Sequence, residues 1–407
     1  MPEGELRPIN IICLATYYKG ADFMRECKAR GCHVVLITKE KMLQEDWPRE
    51  SLDDLIALPN DADVPLFIDA VTFLARKAKP DRVIALEEFD VVTAALIREH
   101  FCLPGMSSSQ AKIFRDKMAM AVTATSAQLD VPAFLPLITA DEIREFMVRV
   151  PPPWIIKPRS DVSAIGIRKV GGEDEVWRTV EELNSRDTLR EKASYYLLAQ
   201  FIDGAVYHVD SLVNDGRVAF AAVNQYGRPP LEVAHQGGTY ISYTIAQGSD
   251  DHRKLLEVNR KLIRALRLEK GATHAEFIKS AADGKFYFLE IAARVGGAYI
   301  ADVLEAASGI NLWREWARIE IAGKSAGRIR ALRKQYAGII LSLARQEHPD
   351  TSAYDDPEIV YRIKKRHHAG LILSAPTLER VTTLLAEYAR RFVDDFAAVL
   401  PPLERPE

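Results

Sequence analysis

The sequence predicts a multidomain protein of the α/β and α+β classes, and three observations support this prediction. Apolar strand-like segments alternate with helical patterns over the first hundred residues, which is typical of a parallel sheet. Much later, two short apolar segments are separated by a turn, which is typical of an antiparallel hairpin. The chain has 407 residues and is 48% hydrophobic, so it can form two to four units with cores of their own.

The first region, predicted to span residues 1–110, is a βαβ series. Its strand segments are INIICLAT, HVVLIT and RVIALEE, and its helices are expected over 21–30, 67–78 and 91–100. Ligands of such sheets bind near the carboxyl ends of the strands. Glu87, Glu88 and Asp90 end one strand, so they either line a substrate crevice or are ordinary polar residues at a strand end.

Two lysines are placed to meet phosphate groups. Lys117 lies near the start of a helix expected over 115–129, and Lys157 leaves the apolar strand WIIKP. The turn after that strand contains Ser163 and Gly166, so hydroxyl and backbone N–H groups can add to the lysine's charge. Taken alone, a lysine in either position is more often a solvated surface residue. Together with the hairpin described next, they predict a nucleoside triphosphate bound between two sheets.

The most informative segment is the hairpin within residues 273–297. Strands are expected over 274–280 and 286–293, joined at Ala282-Asp283-Gly284. In that register Glu276 faces Glu290, and opposed carboxylates about 5 Å apart repel unless a positive charge lies between them. Magnesium completed by phosphate oxygens satisfies this requirement. Arg294 adds an anion-binding fork. The alternative is a pair of solvated glutamates on an outer face.

The charge composition and the amino-terminal sequence indicate which kinds of binding partner to expect. Lys and Arg number 54 against 57 Asp and Glu, a net charge of −3, so no nucleic-acid partner is expected. The amino-terminal apolar run is too short for a signal peptide or a membrane span. We therefore expect a cytoplasmic protein that does not bind membranes.

These features, in their order and spacing, resemble those of ATP-grasp proteins. The sequence is most similar to carboxylate–amine ligases of the L-amino-acid ligase and carnosine-synthase type. The segments LPGMS, RDK, LLAQFIDGAVYHVDSLV, THAEF and FLEIAARVGG carry the resemblance. It implies an ATP-grasp fold with four parts: a pre-ATP-grasp α/β domain (1–110), a small lid subdomain (111–204), a large subdomain with an antiparallel sheet (205–330) and a carboxyl-terminal α+β cap (331–407).

The resemblance also implies roles for individual residues in holding ATP and its metal. Lys117 and Lys157 match the lysines that contact ATP phosphates, and Glu276 and Glu290 match the ligands of Mg²⁺, or of Mn²⁺ in its place. Residues 199–202, including Gln200, Phe201 and Ile202, match the segment whose backbone reads the adenine edge.

For the substrates, the resemblance implies that Arg294 binds the acyl-phosphate or the substrate carboxylate. His235 matches the loop that approaches the acceptor amine and is a candidate general base. The expected partners are a small-molecule carboxylate and an amine. The sequence does not determine the oligomeric state, but the cap and the amino-terminal domain offer surfaces on which a homodimer could form.

Some positions differ from the family pattern. Ala199 and Val206 stand where acidic residues are usual, so nucleoside recognition is assigned to backbone atoms and to Gln200, His208 or Asp210. Ala292 stands where many relatives have asparagine, a replacement that the amino-acid-ligase branch often shows.

The predicted activity is ATP-dependent formation of an amide bond. A carboxylate, expected to be that of an amino acid, is activated as an acyl-phosphate and joined to an amine. A carboxylase or purine-pathway enzyme of the same fold, and a catalytically silent nucleotide-binding regulator, remain alternatives. A Rossmann-type dehydrogenase would account for the first half alone, and its glycine-rich fingerprint is missing after the first strand.

Overall fold

The structure, a computed structural model, describes residues 7–161, 165–322 and 329–398, without the side chains of residues 234–236. Three sheets organise these residues. In the part of the chain that is described, no helix combines the length and the apolar composition that crossing a membrane requires.

A parallel sheet forms the amino-terminal unit. Its strands are β1 (Asn10–Leu14), β2 (His33–Lys39), β3 (Asp54–Leu58) and β4 (Arg82–Ala85). Its helices are α1 (Ala21–Ala29), α2 (Val64–Ala75), α3 (Val91–His100) and α4 (Ser108–Ile113). The strand order is β3–β2–β1–β4 with parallel pairing throughout, which confirms the predicted βαβ series. Helix α2 begins earlier than predicted because Asp63 caps it, accepting a hydrogen bond from Leu66 N–H at 3.2 Å.

A small antiparallel sheet follows. Its strands are β5 (Phe134–Pro136), β6 (Trp154–Pro158), β7 (Arg168–Val170) and β8 (Tyr196–Gln200), in the order β5–β8–β6–β7. The helices in this stretch of the chain are α5 (Lys117–Ser126), α6 (Ala140–Arg149) and α7 (Glu173–Asn184). Side chains such as Phe146, Trp154 and Leu198 form a separate buried core, so this unit carries its own hydrophobic stabilisation.

An eight-stranded sheet spans the rest of the chain. Its strands are β9 (Gly204–Asn214), β10 (Arg217–Tyr226), β11 (Tyr240–Thr244), β12 (Lys270–Ser280), β13 (Phe286–Ala292), β14 (Tyr336–Leu343), β15 (Ile359–Arg362) and β16 (His368–Ala375). Its helices are α8 (Pro230–Gln236), α9 (Asp250–Leu266), α10 (Ile300–Ser308), α11 (Leu312–Ala322) and α12 (Leu378–Asp395). The order is β13–β12–β9–β10–β11–β14–β16–β15.

This sheet crosses a predicted boundary. Strands β11 and β14 pair with each other, Ser242 opposite Ile339, so the sheet continues from the predicted large subdomain into the predicted cap. The cap is therefore not a separate sheet, because an edge at β11 would leave a row of backbone groups unpaired. The division at residue 330 otherwise remains a prediction.

Strand β12 separates the core of this unit from its ligand-facing side. Ala275 and Phe277 are fully buried and pack in one cluster with leucines and an isoleucine of α9. His274, Glu276 and Ile278 alternate with them and point away from α9, as the period of two in a strand requires. The packed face thus fixes the direction of the polar side chains.

Candidate active site

A cavity of about 520 Å³ lies between the small sheet and the eight-stranded sheet. Its walls are apolar at one end and charged at the other. The apolar residues include Met120, Ile155, Val206, Ile278 and Leu289. The charged residues include Glu88, Arg115, Lys117, Lys157, Glu276, Glu290 and Arg294. A cavity of this kind suits a ligand with an aromatic end and an anionic end.

Glu276 and Glu290 are opposed across β12 and β13, as the sequence predicts. A β-bulge sets this register. Phe277 pairs with Phe288, and the next pair is Glu276 with Glu290, so Leu289 is the extra residue. Without the bulge Glu276 would oppose Leu289. The bulge also lets Leu289 and Glu290 both line the cavity although they are neighbours in sequence.

Lys117 lies beside one of these carboxylates. Asp116 caps α5 by accepting hydrogen bonds from the N–H groups of Met118 and Ala119, so the helix starts at Lys117 rather than at residue 115. The Lys117 ammonium lies 2.9 Å from Glu290 Oε2 and donates to the Asp161 carbonyl oxygen at 2.6 Å. Its position is therefore fixed from both sides of the cavity.

Lys157 reaches the same group of charges from β6. Burial lowers the pKa of its ammonium to about 8, although Glu290 works in the opposite direction. For Glu290, burial opposes ionisation, but Lys117 and Lys157 outweigh it and lower the pKa of the carboxyl. Glu290 is consequently a carboxylate at neutral pH.

These contacts revise the electrostatic part of the sequence prediction. The repulsion between Glu276 and Glu290 was expected to require a metal ion. In the structure the two lysines supply positive charge beside the pair, so repulsion alone does not require a metal. The carboxylate pair is still a donor set that suits a hard divalent cation.

The apolar end of the cavity contains the segment predicted to read adenine. The N–H of Gln200 donates to Ala133 O at 2.8 Å, and that of Phe201 donates to Pro153 O at 3.3 Å. Both N–H groups are therefore already hydrogen-bonded within the protein. The N–H of Ile202 has no partner among the described residues, so it is available to a ligand. The Lys169 ammonium lies 3.7 Å from the centroid of the Phe201 ring and holds that ring in place.

A sharp turn follows this segment at Gly204. Its φ is +156°, and an added Cβ would lie 1.9 Å from the carbonyl oxygen of Lys279. Only glycine can occupy this position without moving β12.

Arg294 lies at the charged end, just beyond the end of β13. Its Nη2 and Nε donate to Glu88 Oε2 at 2.8 and 3.1 Å, and Arg115 binds the other oxygen of Glu88. Burial opposes the charge on Arg294, but Glu88 and Glu87 outweigh it and raise the pKa of the guanidinium. Glu88, one of the strand-end acids considered from the sequence, thus lines the cavity.

The structure brings together eight of the residues predicted for the site. They are Lys117, Lys157, Gln200, Phe201, Ile202, Glu276, Glu290 and Arg294. Gly166 adopts a left-handed conformation with φ +68° near Pro158 and Tyr196, and it does not line the cavity itself. Ser163 lies outside the described residues, as does the side chain of His235, whose backbone is helical in α8 rather than in a loop.

Asp210 does not lie where the sequence suggested. It has no exposed surface and does not line the cavity. Its carboxylate binds Nδ1 of His208 at 2.6 Å and Nδ1 of His274 at 2.8 Å. His208 is fully buried as well. Neither residue can touch a nucleoside in this arrangement, because both are used inside the sheet.

Two further residues line the charged end and were not predicted. Tyr226 donates its hydroxyl to Glu276 Oε1 at 2.6 Å, and His274 Nε2 lies 3.4 Å from the same oxygen. The sequence held a signal for His274, because it lies two residues before Glu276 and thus on the same face of the strand. No comparable signal marked Tyr226, whose approach depends on the pairing of β9 with β10 and β12.

Part of the chain matches a known protein family. Residues 150–302 match the family model of the ATP-grasp domain. The chain therefore contains an ATP-grasp domain, and the predicted relationship is confirmed.

One curated relative is the L-arginine-specific L-amino acid ligase of Bacillus subtilis. It is 23% identical over 242 residues, which are 59% of this chain and 58% of that ligase. The matched region is thus less than two thirds of the length of that relative.

Solved structures share the fold over nearly the whole chain. The L-amino acid ligase of Bacillus licheniformis has a TM-score of 0.73 at 18% identity, with 97% of this chain and 99% of that chain covered. The biotin carboxylase domain of Hydrogenobacter thermophilus 2-oxoglutarate carboxylase, solved with MgADP and bicarbonate, has a TM-score of 0.73 at 14% identity, with coverage of 96% and 91%. Phosphoribosylglycinamide synthetase of Anaerococcus prevotii has a TM-score of 0.68 at 16% identity, with coverage of 97% and 100%. The predicted ATP-grasp fold is confirmed.

Proposed function

We propose that this protein is an ATP-dependent carboxylate–amine ligase that activates an amino acid as an acyl-phosphate and joins it to an amine. The observation that carries the proposal is the convergence of Lys117, Lys157, Glu276, Glu290 and Arg294 at one end of one cavity. The similarity to an L-amino acid ligase supports an amino acid as the substrate.

ATP fits the cavity with its base at the apolar end. The free N–H of Ile202 offers a hydrogen bond to the adenine edge, and Ile155, Ile278 and Leu289 offer apolar contact. Lys117 and Lys157 offset the charge of the phosphates at the other end. Phosphoryl transfer depends on such positioning and neutralisation, and it needs no covalent group from the enzyme.

Glu276 and Glu290 are the residues that would hold Mg²⁺, or Mn²⁺ in its place. They fit because both are carboxylates that line the cavity from directly opposed positions. When bound, the metal would neutralise charge on the transferring phosphoryl group. Holding the metal would require Glu290 to release Lys117, whose ammonium would then be available to a phosphate oxygen.

The chemistry consists of two displacements. An oxygen of the substrate carboxylate attacks the γ-phosphorus of ATP and ADP leaves. The amine then attacks the carbonyl carbon, loses a proton and expels phosphate. Arg294 orients the carboxylate and the acyl-phosphate through its guanidinium, which Glu88 holds in the cavity wall. His235 remains the predicted candidate for the base that takes the amine proton.

Bicarbonate is an alternative to the amino acid as the acid substrate, because the biotin carboxylase domain solved with bicarbonate shares this fold. Bicarbonate and an amino acid carboxylate present the same attacking oxygen to ATP. A catalytically silent nucleotide-binding protein is the other alternative. The cytoplasmic location and the homodimer remain predictions.

The test measures ADP release with ATP and Mg²⁺ across pairs of amino acids and amines, with mass detection of the condensed product. The proposal expects ADP and amide product in equal amounts, and only when both substrates are present. ADP release with bicarbonate alone would favour a carboxylase. Nucleotide binding without ADP release from any acid would favour a silent protein.

A further inference from the structure

A buried chain of hydrogen bonds runs from Glu276 into the eight-stranded sheet. It connects side chains of β9, β10, β11 and β12: Glu276, Tyr226, His274, Asp210, His208 and Ser242. His274 Nδ1 lies 2.8 Å from Asp210 Oδ1, and His208 Nδ1 lies 2.6 Å from Asp210 Oδ2. His208 Nε2 lies 2.7 Å from the Ser242 hydroxyl. The chain ends at the Glu276 oxygen that also accepts from Tyr226.

His274 is held between two carboxylates. Asp210 lies at Nδ1 and Glu276 lies at Nε2, and an ionised carboxylate can only accept hydrogen bonds. A ring that donates from both nitrogens would satisfy both carboxylates, and the Tyr226 hydroxyl oxygen lies 3.3 Å from Nε2 as a further acceptor.

Asp210 fixes the orientation of this ring. It has no exposed surface, and burial opposes its ionisation, but His208 and His274 outweigh burial and hold its pKa well below the usual range. The side-chain amide of Asn224 donates to Oδ2 at 3.3 Å. Both oxygens of Asp210 are thus used, which leaves the His274 ring one orientation relative to the carboxylate.

The loop after β13 closes over this contact at Gly296. A Cβ added there would lie 2.8 Å from Asp210 Oδ1 and 3.0 Å from His274 Nδ1. Glycine at this position therefore lets the loop approach the Asp210–His274 pair. The same loop contains Arg294, so the hydrogen-bond chain and the charged end of the cavity share one backbone segment.

The cluster of His208, Asp210 and His274 also has the composition of a metal site. Its distances of 2.6 and 2.8 Å are those of hydrogen bonds, and the remaining nitrogen of His208 is bound to Ser242. The ligand atoms of the cluster are therefore used by one another.

We propose that His274, oriented by Asp210, is a positioning residue that turns the Glu276 carboxylate toward the metal of the nucleotide complex. His274 Nε2–H and the Tyr226 hydroxyl both approach Oε1, at 3.4 and 2.6 Å, while Oε2 has no hydrogen-bond partner among the described residues. Oε1 is thus anchored, and Oε2 is the oxygen that would bind the metal. This inference rests on the proposed function.

Two replacements of His274 separate its two contacts. In His274→Gln the amide nitrogen lies as many bonds from the backbone as Nε2, so it can donate to Glu276. In His274→Asn the amide nitrogen corresponds to Nδ1, so it can donate to Asp210 alone. The full chain is titrated with Mn²⁺ in the presence of ADP, and free Mn²⁺ is followed by electron paramagnetic resonance. This measures metal affinity without turnover. Thermal unfolding of each variant is measured alongside.

We expect His274→Asn to bind Mn²⁺ about tenfold more weakly than the parent, and His274→Gln to recover much of this loss. A purely structural role predicts the opposite order, because Asn keeps the contact with buried Asp210. Equal affinities, or tighter binding by the Asn variant, would overturn the proposal. If neither variant folds, Tyr226→Phe decides, because it removes the other donor to Oε1. Weaker Mn²⁺ binding then supports anchoring of that oxygen, and unchanged binding overturns it.

Glu290→Gln is the control for the metal site itself. If Glu290→Gln weakens Mn²⁺ binding but no change at His274 or Tyr226 does, the positioning role fails and the proposed function stands. Mn²⁺ affinity unchanged in Glu290→Gln would remove the metal site on which both proposals depend.

Discussion

Glu88 and Arg294 are separated by 206 residues in the chain and form a buried ion pair at the charged end of the cavity. Glu88 follows a strand of the parallel sheet, whereas Arg294 follows β13 of the eight-stranded sheet. Arg115 binds the second oxygen of Glu88. One carboxylate therefore joins the amino-terminal unit to the cavity and holds two guanidinium groups in its wall.

Replacing Glu88 by Gln should destabilise the protein. Glu88 is 8% exposed, and the change leaves Arg115 and Arg294 buried without their anion. Removing one partner of a buried pair costs about 3 kcal/mol or more in the free energy of unfolding. Urea unfolding followed by tryptophan fluorescence measures this. Asp141→Asn, in the exposed pair with Arg144, is the control and should leave stability nearly unchanged. Equal stabilities of the two variants would mean that the Glu88 pair contributes no more than a surface pair.

Replacing Glu290 by Gln should slow turnover strongly while the fold persists. The change keeps the size of the side chain but removes one of the two opposed carboxylates, so we expect at least a hundredfold loss of the rate, on the order of other electrostatic catalytic groups. ADP release and circular dichroism check the two parts. Glu257→Gln on the exposed side of α9 is the matched control. Turnover within about threefold of the parent would show that the carboxylate pair has a different role.

Replacing Lys157 and replacing Arg294 by Ala should impair different steps, nucleotide binding in the first case and use of the carboxylate substrate in the second. Lys157→Ala removes a positive charge beside the predicted phosphate site, so binding of a non-hydrolysable ATP analogue should weaken about tenfold. Arg294→Ala should leave that affinity nearly unchanged and raise the KM for the carboxylate substrate. Calorimetric titration and steady-state kinetics measure the two quantities. Equal losses of nucleotide affinity would place Arg294 at the phosphates instead.

Nucleotide binding should also weaken as pH rises through about 8. The pKa of Lys157 is lowered to about 8 in the free protein, so the ammonium is charged below that pH and loses its proton above it. Phosphate favours the charged form, so binding above pH 8 must take up a proton, and the affinity should fall by up to tenfold per pH unit. Calorimetry between pH 7 and about 9.5, in buffers of different ionisation enthalpy, measures both effects.

Lys157→Arg provides the control, because arginine keeps its charge throughout this range. Its affinity should be nearly independent of pH. The same pH dependence in parent and variant would assign the titration to another group.

The sequence was sufficient for the parts of the site that depend on local pattern. The hairpin of β12 and β13, the two lysines at element ends, and the βαβ series all follow from periodicity and turn residues within short segments. The opposition of Glu276 and Glu290 was predicted from the turn, but the bulge at Leu289 that produces it was not. A bulge adds one unpaired residue, and no residue type in this segment marks it.

The remaining features depend on long-range packing. Asp210 was expected at the nucleoside, but pairing of β9 with β12 places it beside His274 in the sheet interior. Tyr226 reaches Glu276 only because β10 lies on the other side of β9. The contact of Glu88 with Arg294 joins two separate units. Such contacts are set by strand order and by unit packing, which hydrophobic periodicity does not encode.

The central claim is that a carboxylate oxygen attacks ATP, and an isotope measurement tests it most directly. The amino acid found to support ADP release is labelled with ¹⁸O at both carboxylate oxygens and turned over with ATP, Mg²⁺ and the amine. The phosphate and the amide product are then analysed by mass spectrometry. An acyl-phosphate pathway predicts one labelled oxygen in each phosphate and one in each product molecule. Unlabelled phosphate would contradict the account, because the oxygen lost from the carboxylate would then not have been bonded to phosphorus.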